Sequence, residues 1–401
     1  MSDGGREVLA YIEEVTWGTT PASALTKVAF ATSENLLTNT TTVVTDAIRG
    51  DYIKPQVIRT NAEGGGSINF EAAYADGPLL DFIEGAVRSD WATAGSTPST
   101  SLAADDAANK YTRAAGSFVT DGWVVGMSGK ASGFATAANN GYFVVTAVDA
   151  TNLTVSGLDL ATEAAGGNEV LTNSGYLKVG TTVKSYTLEK QFADLTNKFI
   201  PMKGARVSSL SLSAQVGAIV TGSVGFVGKA QTAIASATAG SGAYSASAGA
   251  NNTVWNGVDN VTGIFVANDD TAFTTAVTYN VSQIDLNINC PARPIGTLGT
   301  LGPAAIGSNS FGIGGSMRVY ADDTSIALWS DYINYTEKAI WYRFVDAGGN
   351  AFLIYLPQVQ ITASEGPASS GPDSDIMLNL NFTAEYDSDT SSLLVISRIA
   401  A

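Results

Sequence analysis

The chain has no histidine and one cysteine among its 401 residues, and each scarcity removes a class of chemistry. Without imidazole there is no Ser-His-Asp or Cys-His triad, no histidine general base near neutral pH and no ordinary zinc site. Cys290 has no partner in the chain for a disulfide, which excludes a disulfide-stapled module and a thiolate-ligated metal centre. Charge is also scarce, at 14% of residues against about 25% in an average soluble chain. Lys and Arg number 21 against 37 Asp and Glu, a formal net charge of −16. With a sequence pI near 4.3 and no basic cluster, the chain lacks the footprint that phosphate-backbone binding needs. No apolar run approaches the roughly 18 residues of a membrane-spanning helix. Met1 to Arg6 carries no basic stretch followed by an apolar one, so the expectation is a soluble protein made in a cytoplasm without a signal peptide.

What is present is mostly small and neutral: 42 Gly, with much Ala, Ser and Thr. Such surfaces are common in assembling proteins. At roughly 100–200 residues per domain, the length fits two or three domains. Alternating stretches dominate, at Ser67–Tyr74, Val207–Ser213, Val220–Val227 and Met377–Thr383. Apolar residues on one side and small polar ones on the other predict half-buried antiparallel strands. Two helices are predicted. One follows Asp76-Gly77-Pro78, with Asp76 as cap and Leu79, Leu80, Phe82, Ile83 and Val87 at helical spacing. The other follows Asp322-Asp323-Thr324, with Ile326, Leu328, Trp329, Tyr332 and Ile333. The chain is therefore expected to be mainly β.

The two helices expose an internal repeat. Gly64-Gly65-Gly66-Ser67 opens a strand that runs to Tyr74-Ala75-Asp76 and the first helix; Gly314-Gly315-Ser316 opens one that runs to Tyr320-Ala321-Asp322 and the second. Strands follow both helices. The expected division is a discontinuous first β unit at 1–95 and 180–232, a small β-barrel insertion at 110–170, a flexible linker at 233–252 and a second β unit at 253–401. Within the insertion, Trp123–Met127, Gly141–Val145 and Leu153–Val155 read as strands, and Asp149–Asn152 reads as a turn.

Candidate chemistry is thin. Glu13-Glu14, Asp105-Asp106, Asp269-Asp270 and Asp322-Asp323 pair carboxylates, but spacing in sequence cannot place two acids across a sugar. Asp322-Asp323 reads as a helix cap, and Asp269-Asp270 as a turn. Asp373-Ser374-Asp375 and Asp387-Ser388-Asp389 lack the spacing of a calcium loop. The glycine runs lead into strands rather than helices, the wrong context for a phosphate loop; they read as turns into edge strands. Gly296–Pro303 reads as a flexible loop. The expectation is no enzyme, no catalytic residue, no cofactor and no metal.

Several stretches carry a family resemblance. They are Val15–Ala22, Phe30–Leu36, Thr45–Asp51, Ile68–Glu71, Tyr186–Phe192, Gly204–Leu210 and Ile219–Phe226. In that order, and over nearly the whole length, the chain resembles the major tail tube proteins of long, non-contractile-tailed bacteriophages. The run Ala137–Phe143 is similar to a small β unit often embedded in such proteins.

The resemblance implies two tail-tube-like β-sandwich or barrel units, each with a short flanking α-helix, plus the small insertion facing outward. It implies a virion protein whose rings stack into a tube, made in the host bacterial cytoplasm and located in the tail. Its partners would be copies of itself, with a trimer of pseudo-sixfold symmetry favoured over a hexamer. Tail terminator and distal tail proteins would sit at the tube ends. A tape-measure protein and DNA would occupy the lumen without sequence-specific binding, and no membrane is involved. The segment Thr38 to Ala62 is expected to be an arm to the next ring or neighbouring subunit, through Asp46, Ile48, Arg49, Tyr52, Ile53 and Lys54. The alternative is a capsid decoration protein or another symmetric β-rich surface protein.

Overall fold

The computed structural model describes residues 3–48, 50–51, 56–74, 77–92, 96–97, 101–268, 273, 277–368 and 371–400. The first stretch contains β1 (Glu7–Glu13), β2 (Thr26–Lys27), β3 (Ala31–Glu34), β4 (Leu37–Val44), β5 (Val57–Glu71) and helix α1 (Gly77–Val87). Pro78 stands in the first turn of α1, where a missing N–H costs nothing, and Leu79, Leu80, Phe82, Ile83, Ala86 and Val87 are buried. Asp76, the expected cap, lies outside the described residues.

A separate sheet follows, built from β6 (Ser96–Thr97), β7 (Leu102–Asp105), β8 (Lys110–Arg113), β9 (Ser128–Ser132), β10 (Gly141–Val148), β11 (Asn152–Ser156) and β12 (Val170–Thr172). Its order is β6-β12-β9-β10-β11-β8-β7, and it encloses its own core around Tyr111, Phe118, Trp123 and Phe143. The Asp149 turn forms as expected, with the carboxylate accepting from the Thr151 and Asn152 N–H groups at 2.7 Å each. Trp123–Met127 is not a strand. Gly122, just before it, and Gly126, within it, hold positive φ, and the buried Trp123 ring donates Nε1–H to Thr97 Oγ1 at 3.0 Å. Packing and turn geometry override β propensity here.

The chain returns through β13 (Gly175–Lys178), β14 (Tyr186–Phe192), β15 (Phe199–Gln215) and β16 (Thr221–Lys229). The Ala/Ser/Gly-rich stretch beyond it, expected to be flexible, is pinned. The fully buried Glu189 carboxylate accepts from Thr238 Oγ1 and the Tyr244 hydroxyl at 2.6 Å and from Ala239 N–H at 2.7 Å. A buried carboxylate requires donors, and this segment supplies them. Next come β17 (Val261–Ala267), β18 (Val277–Thr278), β19 (Val281–Asn289), β20 (Ala292–Gly296), β21 (Pro303–Ser308), β22 (Gly312–Tyr320), helix α2 (Ala327–Asn334), β23 (Lys338–Val345), β24 (Ala351–Ala368), β25 (Met377–Ala384) and β26 (Val395–Ile399).

The same ladder occurs twice. β2-β1-β14-β15-β16-β5-β3 are hydrogen-bonded neighbours in that order, and β18-β17-β23-β24-β25-β22-β19 repeat it. The irregularities repeat too. A bulge between Ala31 and Ser33 matches one between Val281 and Gln283. The one at Tyr186/Leu188 matches Lys338/Ile340, and the one at Val207/Ser209 matches Ile361/Ala363. Because a bulge bends its strand, β15 and β24 turn a corner there. Their first parts pair with β14 and β23, their later parts with β16 and β25.

β15 also pairs with β19, Leu212 opposite Leu286, and this seam joins the two ladders into one run: β24-β25-β22-β19-β15-β16-β5, with β3 and β4 end to end on the far edge. One large core, including Phe70, Phe82, Leu212, Trp255, Leu286 and Phe382, lies behind it. The Trp255 and Phe344 rings stack at 5.3 Å.

The glycine runs lie inside this sheet, not at turns into edge strands. Gly64–Gly66 sit in β5 and Gly314–Gly315 in β22, both paired on two sides. A Cβ on Gly64 would stand 2.0 Å from the Lys229 carbonyl oxygen, and one on Gly315 2.1 Å from that of Asp285. Close backbone approach explains these glycines.

Candidate functional site

The exposed face of the long sheet is polar, because strands with period 2 put their alternate residues there. It carries Ser67 and Asn69 of β5, Ser223 of β16, Ser209 and Ser211 of β15, Asn287 and Asn289 of β19, and Asn379 and Asn381 of β25, all half-buried or exposed. The intervening Ile68, Val224, Leu210, Ile288 and Leu380 are buried. Charged residues on this face include Glu71, Asp285, Glu365 and Arg318. Asp285 is held within the sheet, accepting from Ser213 Oγ at 2.5 Å, Ser316 Oγ at 2.8 Å and Gln283 Nε2 at 2.9 Å. The result is a broad hydrogen-bonding wall with a slight excess of negative charge and no basic stripe.

Two hairpin arms leave this sheet. β4 and β5 pair from Leu37/Gly65 out to Val44/Val57, exposing Val43, Val44, Val57 and Ile58. Asp46 and Ile48 lie exposed past the end of β4, Ile48 completely so. Arg49, Tyr52, Ile53 and Lys54 lie outside the described residues. β20 and β21 form the second arm, where the sequence suggested only a flexible loop. Ala292–Gly296 and Pro303–Ser308 are too short and too irregular to announce themselves by period. This arm is seated: Arg206 donates to the Ile306 carbonyl, and Arg88 Nη1 to that of Asn309 at 3.1 Å.

Of the candidate acids, Asp269 and Asp270 lie outside the described residues. Glu14 is buried and accepts from Gly18 N–H, Ser185 Oγ, Thr187 Oγ1 and Gly204 N–H. Asp322 accepts from the Thr324 and Ser325 N–H groups at 3.0 and 2.7 Å, which hold its carboxyl below the usual range. It thus closes the turn ahead of α2, whose own cap position is Ile326. The buried cation Lys184 meets Glu84, Asp90 at 2.8 Å and Glu13 at 3.5 Å. Burial opposes its charge, but the hydrogen bonds to Asp90 and Glu84 and the attraction of Glu84 and Glu13 win, raising its pKa. Burial pushes the Cys290 thiol up to about 11. Among the described residues, no three His, Cys, Asp or Glu stand close enough to hold a metal.

The site is therefore a continuous sheet with a bland polar face and two hairpin arms. The sequence matches the family described as phage tail tube protein over residues 4–384, and the chain belongs to that family. It is a structural protein of the virion tail. No curated protein matches the chain.

Proposed function

We propose that the chain is two tandem copies of one tail-tube unit and that three chains close into a ring of pseudo-sixfold symmetry. The supporting observation is the repeated ladder with its head-to-tail seam at β15 and β19. The first unit is 1–95 with 180–232, the second 253–401; 110–170 is an insertion facing outward, and 233–252 connects the halves. A seam that joins unit to unit by a fixed rotation, applied again, generates a closed ring without free edges. Three chains would contribute about 24 strands. At ~4.8 Å spacing and a tilt of about 40° these enclose a barrel roughly 45–50 Å across between backbones.

Rings stack into the tube that conducts genome DNA into the host. The polar face lines the bore, where Ser and Asn with a few acids offer phosphates little to hold. DNA and a tape-measure protein pass through without sequence-specific contacts, while tail terminator and distal tail proteins close the ends. The protein is synthesised in the host cytoplasm. The β4–β5 arm, with Asp46, Ile48, Arg49, Tyr52, Ile53 and Lys54, contacts a neighbouring subunit or ring. The seated β20–β21 arm supports the lateral contact, since it already crosses from the second unit onto the first.

Electron cryomicroscopy of purified tubes tests this reading. Threefold cross-sections with two similar lobes per chain are expected. Sixfold rings of single-lobed chains would overturn the duplication and keep the tube. Isolated or capsid-bound particles without tubes would favour a decoration protein.

A further inference from the structure

We infer that the ring closes by pairing the outer edge of β24, Ala363 to Ala368, with the outer edge of β3–β4, Asn35 to Asn39, of a second copy of this chain. The inference rests on the ring reading above and adds the strands and the register. Among the described residues, β24 beyond Val359 pairs with β25 alone, and β3 and β4 pair with β5 alone. The matched ladders make these two edges the counterparts of β15 and β19, the strands already joined inside the chain. Gly225 opposite Ser67 corresponds to Asn381 opposite Ser316, and Ser211 opposite Ser223 to Glu365 opposite Asn379. Leu37 opposite Gly65 corresponds to Asn287 opposite Gly314. The seam places Ser209 opposite Asn289, Ser211 opposite Asn287 and Ser213 opposite Asp285. Carried over, Ala363 faces Asn39, Glu365 faces Leu37 and Ala368 faces Asn35 of the neighbour.

One position departs from the seam, and it does so on both edges. In the seam, Cys290 N–H donates to Ser208, and Val216 N–H to Ser282. Strand alternation therefore directs the Leu286 backbone toward β15. Its counterpart is Leu36. Asn35 N–H donates to Ser67 on the β5 side, so the Leu36 backbone points outward. That backbone is already occupied: its N–H donates to Glu34 Oε2 at 2.6 Å, and its carbonyl accepts from Lys190 Nζ at 2.8 Å and Gln231 Nε2 at 3.1 Å. The residues corresponding to Glu34 and Lys190 are Ile284 and Tyr342, which supply no such ion pair. Opposite Leu36, where β15 has Leu212, β24 has a bulge of two residues, Gly366-Pro367. Proline has no N–H to offer, and the bulge breaks the ladder locally. An edge whose central groups are taken thus meets an edge that does not ask for them. Such a pair fits together and fits poorly with unrelated sheet edges.

Disulfide trapping tests the register. Ser211 and Asn287 form a non-hydrogen-bonded pair on the polar face, the spacing that suits a disulfide. Leu37→Cys with Glu365→Cys should therefore cross-link chains within tubes under mild oxidation, shifting the band to a covalent ring. Asn39→Cys with Glu365→Cys, displaced by two residues, should not; Ser211→Cys with Asn287→Cys should close within one chain. Cross-linking of the displaced pair instead would overturn the register. Absence of both intermolecular cross-links in tubes would overturn the junction while leaving the tube reading intact. If the cysteine variants fail to assemble, hydrogen exchange on the parent chain decides. Protection of the Thr38 and Thr40 amides must rise on tube formation, with Asn39 protected before and after. Unchanged Thr38 and Thr40 in tubes would sink the junction, and no tubes from the parent chain would sink the function itself.

Discussion

Helices α1 and α2 hold corresponding places, one after β5 and the other after β22, yet they are buried very differently. Nine of the eleven α1 residues are buried, whereas Leu328 alone is in α2. α1 packs on β15, β13 and β19, while α2 packs on β24. Ile333 is 63% exposed and Tyr335, just past the helix, 68%. In the proposed duplication the difference has one cause. The strand that covers the exposed flank of α1 is β19, contributed by the second half of the same chain. The strand that would cover α2 belongs to the next chain. On that proposal, unequal burial of like elements marks the junction between neighbouring chains.

This contrast can be broken most strongly at α1. Lys184→Met leaves Glu84, itself buried, without its cation and should cost about 3–5 kcal/mol in denaturant unfolding of the free chain. Ile83→Ala in the same helix should cost about 2–5 kcal/mol. If either variant unfolds like the parent, α1 is not the anchored helix described here. At α2, Ile333→Asp should change the stability of the free chain by less than about 0.5 kcal/mol and still prevent tube formation, scored by negative-stain microscopy. Normal tubes from that variant would mean that α2 meets no neighbour.

Removing residues 46–55 should spare the fold and sharply reduce tube yield measured by sedimentation. Tubes at parental yield would leave the arm without an assembly role. A subtler change is Asn381→Lys on the polar face, which should leave tubes intact but slow genome ejection in a salt-dependent manner. Equal ejection at low and high salt would place this face away from DNA.

Alkaline titration sharpens the α1 side further. The Lys184 pKa is raised in the folded chain, so its stabilisation is fully present below the unfolded value of about 10.4 and is lost as pH rises through the folded value. The stability difference between the parent and Lys184→Met should be flat to about pH 10 and then narrow. Buried tyrosines also lower stability at high pH, but they are common to both proteins and cancel.

Much of the architecture was legible in the residues. Both helices and the long strands at Val207–Ser213 and Met377–Thr383 announce themselves by period and punctuation. Other features did not. Trp123–Met127 has strand composition but turns at Gly122 and Gly126, and the Ala/Ser/Gly stretch is fixed by Glu189, about fifty residues away. The β20–β21 arm was missed because a short paired stretch around a Gly-rich tip has too few residues to signal itself. Of the six arm residues singled out at 46–54, four lie outside the described residues, and Asp46 and Ile48 stand exposed past the end of β4.

The sequence by itself determined the exclusions and the alternation. Absent histidine removes imidazole chemistry and a solitary cysteine removes an intrachain disulfide, and period 2 with small polar residues dictates a sheet with one wettable face. Only the tertiary structure decided which strands meet, that the bulges recur in register, and that Leu36 and Gly366-Pro367 depart from the seam at one matching position. Alternation is a local property of adjacent side chains. Register is set by partners that lie from tens of residues to some two hundred residues away, through hydrogen bonds that no local pattern encodes.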